Sequence, residues 1–370
     1  MATFVTVGAV RIQEYILRTS GADEGQLRKR RGASRMVATA TDPATFGPLG
    51  LIRNDQTYAV EGVANLVAKD PTETPESLAV KALEIARAAL PLAYLEASWA
   101  VADTYPEAHQ MMKAAREGHI PDPTSAGART SLPPFREDPY AAPCTSCHQA
   151  AALQGDTCVD CAQRDTFGAR SPVGTHSRTP ESVSLEHVSK RCGQELKLAK
   201  DLGALARLPK DRAKRNHLAT IYADGNRVGQ LFAGVTDAGA AVALSRAIEE
   251  AIQASGDEAL EALVQLSRPG TLPGVVTVLA ADDALITVPA PFAWTFALTL
   301  TRTFNARMET DKRVARALEF GGHIPTLTAG IAFTHVKSPI EVAIQAADSA
   351  MRLAKQQKSG ESAIGWVDLT

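Results

Sequence analysis

The sequence predicts an α+β protein in which one β-α-ββ-α-β architecture occurs twice, around a cysteine-rich insert. Three observations carry this reading. β-like runs alternate with helical-period segments in the first hundred residues, the same order returns in the last hundred and fifty, and four of the five cysteines cluster between the two. With 370 residues, 45% of them hydrophobic and 22% charged, the chain has the balance of a soluble globular protein and room for two or three domains. The expected boundaries are 1–117, 118–215 and 216–370.

In the first segment, residues 4–10 read as a strand that leads into Arg11 and, after Arg18, a basic loop. Residues 57–60 and 64–68 are β-like and divided by Glu61-Gly62-Val63, which reads as a hairpin. Residues 75–90 carry Leu78, Ala82, Ile85, Ala86 and Ala89 at helical spacing, with Thr72 and Thr74 available as caps. Residues 92–101 return to strand character. From 118 to 143 the composition shifts to Pro, Gly, Ser and Thr, the mark of a connector. The basic run Arg28-Lys29-Arg30-Arg31 with Arg35, and a second one from Arg207 to Arg215, read as solvated loop or helix faces, with phosphate or RNA contact as the alternative.

The insert holds Cys144-x2-Cys147 and Cys158-x2-Cys161, separated by ten residues. Two thiolate pairs at that spacing suit a tetrahedral, structural Zn²⁺ with no open position for catalysis. His148 reads as a solvent-facing neighbour, with a substitute ligand as the alternative, and Cys192 as a small buried residue rather than a nucleophile. A Ser/Thr/Pro stretch follows, then a helical segment near 187–205.

The last third is patterned most clearly. Residues 218–222 read as a strand and Asp224-Gly225-Asn226 as a turn, and residues 240–266 form a long alanine-rich helix. Residues 275–279 and 284–288 form a hairpin with Ala280-Ala281-Asp282-Asp283 at its tip. Residues 294–318 are helical, 326–333 a strand, 340–355 a helix with Pro339 near its start, and 363–367 a final strand. Two-metal nucleotidyl transfer needs carboxylates that converge from different elements. Asp224 ends one strand while Asp282 and Asp283 occupy a hairpin tip, so adjacent strands would aim all three at one site. Gly225 would let backbone approach a phosphate or metal closely. A plain turn and a solvated tip are the other reading of the same residues.

The string Ile221-Tyr222-Ala223-Asp224-Gly225-Asn226-Arg227-Val228-Gly229, the hairpin 278–288, and the tail with Ala329-Gly330-Ile331-Ala332, Ala347-Asp348 and Ala354-Lys355 resemble a known family in order and spacing. It is the palm or cyclase domain shared by GGDEF diguanylate cyclases and the large polymerase-like subunit of type III CRISPR complexes. The CRISPR branch fits better. Its first palm resembles residues 7–37, where Gln13-Glu14-Tyr15-Ile16 precedes the basic loop and Gly32-Ala33-Ser34, and its two palms are likewise separated by a cysteine-bearing module.

The resemblance implies two ferredoxin-like palm (GGDEF-type) domains around a zinc-binding insert. It implies Mg²⁺ or Mn²⁺ at Asp224 and Asp282 with help from Asp283, nucleotide contact at Gly225, Asn226, Ala280 and Ala281, and triphosphate contact from Lys355. The substrate would be ATP or another nucleoside triphosphate, with RNA and CRISPR-complex proteins as partners. The reaction would be attack of a 3′-hydroxyl on an α-phosphate, giving a cyclic or linear oligonucleotide messenger in antiviral defence. The first palm has Glu61-Gly62-Val63-Ala64-Asn65 in place of the acidic tip, and would hold an acceptor nucleotide rather than metal. Two departures stand out. The family's hairpin begins Gly-Gly where this chain has Ala280-Ala281, and a Cβ at positive φ costs ~1–2 kcal/mol. That leaves a catalytically degenerate scaffold, binding nucleotide or RNA and partner proteins, as the alternative function. No His-Asp dipeptide occurs, so the resemblance is to a small relative lacking the His-Asp nuclease domain.

The formal net charge of -2 argues against a protein whose main task is to coat nucleic acid. The most apolar stretch, 292–300, falls short of the ~20 residues needed to cross a bilayer, so no membrane partner is expected. The start of the chain lacks the pattern of a signal peptide, and a cytoplasmic location is expected.

Overall fold

Alternation of buried and half-exposed residues makes β1 (Ala2–Val10) the central strand of the first sheet. The structure is a computed structural model and describes residues 1–18, 25–57, 62–69, 73–116, 128–132, 141–153, 155–169, 179–211, 216–235 and 237–370. The chain divides into two compact units, the first comprising residues 1–19 and 29–178, the second 20–28 and 179–370.

In the first unit β1 is followed by α1 (Ile12–Leu17), α2 (Gln26–Ala40, in this unit from Lys29), β2 (Ile52–Arg53), β3 (Val63–Ala68), α3 (Pro75–Ala89), β4 (Tyr94–Ala102), α4 (Tyr105–Arg116) and β5 (Ala128–Leu132). The sheet order is β2-β3-β1-β4-β5, antiparallel throughout. Val5, Val7 and Ala9 pack with Met36 and Val37 of α2 and Leu78, Ala82 and Ala86 of α3, whereas Phe4 packs with Ala108 and Met112 of α4. The period of two along β1 thus sends successive side chains into different cores.

Several sequence expectations change here. The hairpin partner of β3 is β2, because the hydroxyl and amide of Thr57 bond back to Asn54 O and make a turn where a strand was expected. Val63 belongs to β3, and residues 58–61 lie outside the described residues, as does Thr72. Thr74 caps α3, its side chain accepting from Ser77 N at 3.3 Å. The basic run is no solvated loop. It lies in a helix and buries Arg30 and Arg35. The supposed connector contains β5, while 117–127 and 133–140 lie outside the described residues.

The second unit contains α6 (Pro180–Cys192), α7 (Leu202–Ala206), β6 (His217–Asn226), α8 (Val228–Gly234), α9 (Ala238–Val264), β7 (Val275–Ala280), β8 (Asp283–Pro289), α10 (Ala293–Thr310), α11 (Lys312–Leu318), β9 (Thr326–His335), α12 (Ile340–Gln357) and β10 (Ile364–Asp368), with α5 (Val159–Ala169) preceding it in the first unit. Its sheet order, β10-β9-β6-β8-β7, repeats that of the first sheet, save that its last strand pairs parallel to its neighbour. Ala219, Ile221 and Ala223 of β6 share a core with Ile248 and Ile252 of α9 and Phe296 and Leu300 of α10. Two expected helices are each split in two. Gly193, at φ 65, closes α6, and Asp311, in extended conformation, accepts from Arg313 N to start α11. Of the second basic run, Arg207 ends α7 and 212–215 lie outside the described residues. Among the described residues, no helix is long and apolar enough to cross a membrane.

Candidate metal centres and their surroundings

The first centre lies in the insert. A one-residue bridge, Pro143 to Ala151, and the bond from Cys144 N to Ala150 O at 2.8 Å fold the first cysteine pair into a tight loop. His148 takes positive φ, 53°, in its turn and is exposed, as expected of a residue that does not ligate. Cys158 precedes α5 and Cys161 sits in its first turn, with Cys161 N donating to Cys158 Sγ at 3.4 Å and Ser146 N to Cys144 Sγ at 3.4 Å. The four buried Sγ atoms lie within 4.8 Å of one another, and those of Cys147 and Cys158 are 3.9 Å apart. Zn–S bonds of ~2.3 Å in a tetrahedron place sulfurs ~3.8 Å apart, so the donors suit zinc. Hydrogen bonding among the thiols favours a thiolate at Cys147 and pushes Cys158 up to about 12. Four thiolates together therefore need a cation.

Helix α5 is tied to the first sheet unit by a network that no short-range pattern reveals. Arg164 is 0% exposed, stacks over the Tyr15 ring at 4.4 Å, and donates to Asp160 Oδ2 at 2.6 Å and Tyr15 O at 2.7 Å. The Tyr15 hydroxyl donates to Asp160 Oδ1 at 2.6 Å, and Arg35 donates to Phe167 O at 2.8 Å. The basic residues of α2 thus serve the docking of the cysteine module. The Asp160-x3-Arg164 spacing was the only local signal.

The second centre lies at one end of the second sheet. Asp224-Gly225-Asn226 is not a turn, because β6 runs on through it, paired with Thr328, Leu327 and Thr326 of β9. Asp224 stands directly opposite Asp283 across β6 and β8, and Gly225 N donates to Asp282 O at 3.1 Å. A Cβ at Gly225 would lie 2.7 Å from Asp282 Oδ2, so only glycine admits the tip so close. The strand ends therefore bring Asp224, Asp282 and Asp283 to one place, together with Ala280 opposite Asp283 and Ala281 beside it.

Ala281 takes φ 53, the left-handed conformation that its Cβ disfavours. Ala281→Gly is expected to stabilise the protein by ~1 kcal/mol, part of which the extra freedom of glycine in the unfolded chain offsets. Thermal melting checks this, and a lower melting temperature would overturn it.

Helix α12 contributes Lys355, whose ammonium bonds to the Asp224 carboxylate and to Gly225 O at 2.9 Å. Burial first, then the charges of Asp224 and Asp282, pushes Asp283 up to about 7, and burial with Asp224 also raises Asp282. Among the described residues, only the cysteines bring three or more ligand atoms within 4.8 Å of one another, so the carboxylates meet less closely. Clustered hard oxygens with excess negative charge suit a divalent cation such as magnesium or manganese.

The raised pKa has a consequence for metal-free stability. Between roughly pH 4 and 7 the native state holds a proton on Asp283 that the unfolded chain, with its carboxyl near ~4, has lost. Stability contributed by this group is therefore present below about pH 4 and falls as pH rises to about 7. Asp283→Asn should melt higher than the parent at pH 8 without divalent ions, by ~2–4 °C per ~1 kcal/mol relieved, and the gap should close at pH 4. An equal gap at both pH values would contradict this.

Two neighbours complete the site. Asn226 is buried, and its amide donates to Thr326 Oγ1 at 2.9 Å, Thr328 Oγ1 at 2.8 Å and Glu361 O at 3.0 Å. Arg227, at φ 63, starts α8 and donates to Ser359 O at 3.2 Å. The first unit repeats this local geometry, since Ala9 N donates to Gly62 O at 3.0 Å and Arg11, at φ 56, starts α1. Gly8, Gly62 and Val63 thus occupy the positions of Asp224, Asp282 and Asp283.

Residues 217–363 match the family model described as Cas10/Cmr2, second palm domain. The second unit carries a palm domain similar to the second one of Cas10/Cmr2. Among solved structures, the Csm1-Csm4 cassette in complex with cA4 is similar to 98% of this chain at 15% identity and a TM-score of 0.54, over 54% of its own chain. Csm1 of T. onnurineus is similar at 16% identity and a TM-score of 0.53, covering 98% of this chain and 52% of that one. The Csm1-Csm4 cassette in complex with AMPPNP is similar at 15% identity and a TM-score of 0.51, with 98% and 54% covered. The chain therefore spans about half the length of these proteins, and the likeness extends the palm assignment to a shared fold across both units. No curated protein matches the sequence.

Proposed function

We propose that this palm domain is a metal-dependent nucleotidyltransferase that joins nucleotides, ATP foremost, into a cyclic or linear oligonucleotide messenger in antiviral defence. The observation that carries the reading is the register of β6 on β8, which sets Asp224 opposite Asp283 with Asp282 adjoining. Magnesium or manganese held by these three carboxylates would supply charge neutralisation and Lewis-acid activation of the phosphate. The ammonium of Lys355, bonded to Gly225 O beside Asp224, would neutralise triphosphate oxygens, while the space beside Gly225 is taken by the Asp282 side chain and so serves the closeness of the hairpin tip. The first unit offers no second acidic centre at Gly8, Gly62 and Val63. Similarity to the Csm1-Csm4 cassette in complex with AMPPNP and with cA4 supports nucleotide as substrate and proteins of a CRISPR complex as partners.

The strained Ala281 favours a second reading, a scaffold that binds nucleotide without turnover. Incubation of the purified chain with each nucleoside triphosphate and Mg²⁺ or Mn²⁺, followed by mass spectrometry, separates the two. Oligonucleotide products support the enzyme. Binding without products supports the scaffold.

A further inference from the structure

We propose that Asn226 is a positioning residue: it strands no metal of its own but straps the 359–361 turn to the end of β6 and β9, and so holds the Lys355 ammonium at Asp224 and Gly225. The inference rests on the functional reading above and adds to it the part that orders its cation. Lys355 sits in the last turn of α12, where helices fray, and a lysine side chain loses ~2 kcal/mol of rotamer entropy when fixed. Something beyond the helix must hold that turn.

The bonds around Asn226 do so. The Asn226 amide has two N–H groups, and they are shared among Thr326 Oγ1, Thr328 Oγ1 and Glu361 O. The two threonine hydroxyls pass the tie on, Thr326 to Gly360 O at 3.2 Å and Thr328 to Glu361 O at 3.3 Å, while Ser362 Oγ donates to Leu327 O at 2.7 Å. Glu361 N closes the turn on Lys358 O at 3.0 Å. From the other side Arg227 reaches Ser359 O, and its guanidinium lies against Gly360, where a Cβ would meet Arg227 Nε at 1.9 Å. Gly360 has φ +78, so both conformation and space require glycine there. Every acceptor of the Asn226 amide belongs to β9 or this turn.

The test is amine labelling of the metal-free protein with an acetylating reagent, read at each lysine by mass spectrometry, together with Mn²⁺ binding followed by the resonance of the free ion. In Asn226→Ala and Asn226→Asp, Lys355 should label about tenfold faster than in the parent, the factor that ~1.4 kcal/mol of lost hydrogen bonding gives. Exposed Lys312 should be unchanged. Gly360→Ala, which keeps Asn226, should raise Lys355 labelling in the same way and covers the case in which loss of the buried amide unfolds the protein. Asn226→Asp separates positioning from ligation, because an added carboxylate at a ligand position would tighten Mn²⁺ binding, whereas here it faces acceptor oxygens and loosens the strap. Unchanged Lys355 labelling in Asn226→Ala and Gly360→Ala, or tighter Mn²⁺ binding by Asn226→Asp, would overturn the proposal. A wild type that makes no product would defeat the functional reading alone, since labelling is read without substrate.

Discussion

Asp282→Ala and Asp283→Ala are expected to abolish nucleotidyl transfer while the protein melts at or above the temperature of the parent. Loss of one charge-stabilising group commonly costs ~10²–10³-fold in rate, and loss of a metal ligand at least as much. Stability should move the other way, because desolvation and the neighbouring carboxylates already push Asp283 up to about 7 and raise Asp282. Removing either acid relieves repulsion that the Lys355 ammonium, bonded to Asp224, offsets only in part. Product formation measured by mass spectrometry, beside melting curves without divalent ions, gives both halves. Full turnover by the Asp282→Ala, Asp283→Ala double variant would remove these residues from the chemistry.

Loss of zinc should have the largest effect on folding. A four-cysteine structural site contributes ~10–16 kcal/mol of apparent binding free energy to small zinc domains at neutral pH. Here the cluster shares a core with Tyr15, Met36 and Val37, and Arg164 ties its helix to Tyr15 O. Cys144→Ser or Cys161→Ser, or a strong chelator, should therefore destabilise the first unit as a whole and not only the loop. Metal analysis should find about one zinc per chain, and hydrogen exchange should show α1, α2 and α5 losing protection together. A metal-free protein of undiminished stability, or loss confined to 141–169, would count against this coupling.

Elements whose chemistry is local were legible without the fold. Thr74 followed by Pro75 starts α3, the paired cysteines mark a thiolate cluster, and β-branched runs on both sides of Ala280-Ala281-Asp282-Asp283 mark a hairpin. The cost of alanine at a glycine-type tip could be foreseen too, since Ala281 does take positive φ. Such features depend on residues a few places apart, whose sterics and hydrogen bonds act in any context.

Other assignments waited on partners far along the chain. Asp224-Gly225-Asn226 has turn composition, yet β9, a hundred residues on, supplies hydrogen bonds that keep it in the sheet. Arg30 and Arg35 have the look of solvated charge, but both are buried, as is Arg164, and Arg35 bonds to Phe167 O of α5. The role of Asn226 depends on the turn at 359–361, which no spacing rule connects to it. By itself, then, the sequence determined the repeated α+β order, the cysteine cluster and the identity of the three acids, because propensity, capping and ligand spacing are short-range. Only the tertiary structure decided that Asp224 faces Asp283, that Lys355 reaches both Asp224 and Gly225, and that Arg30 and Arg35 of the basic run are buried, because those depend on strand register and helix docking set by burial across the whole unit.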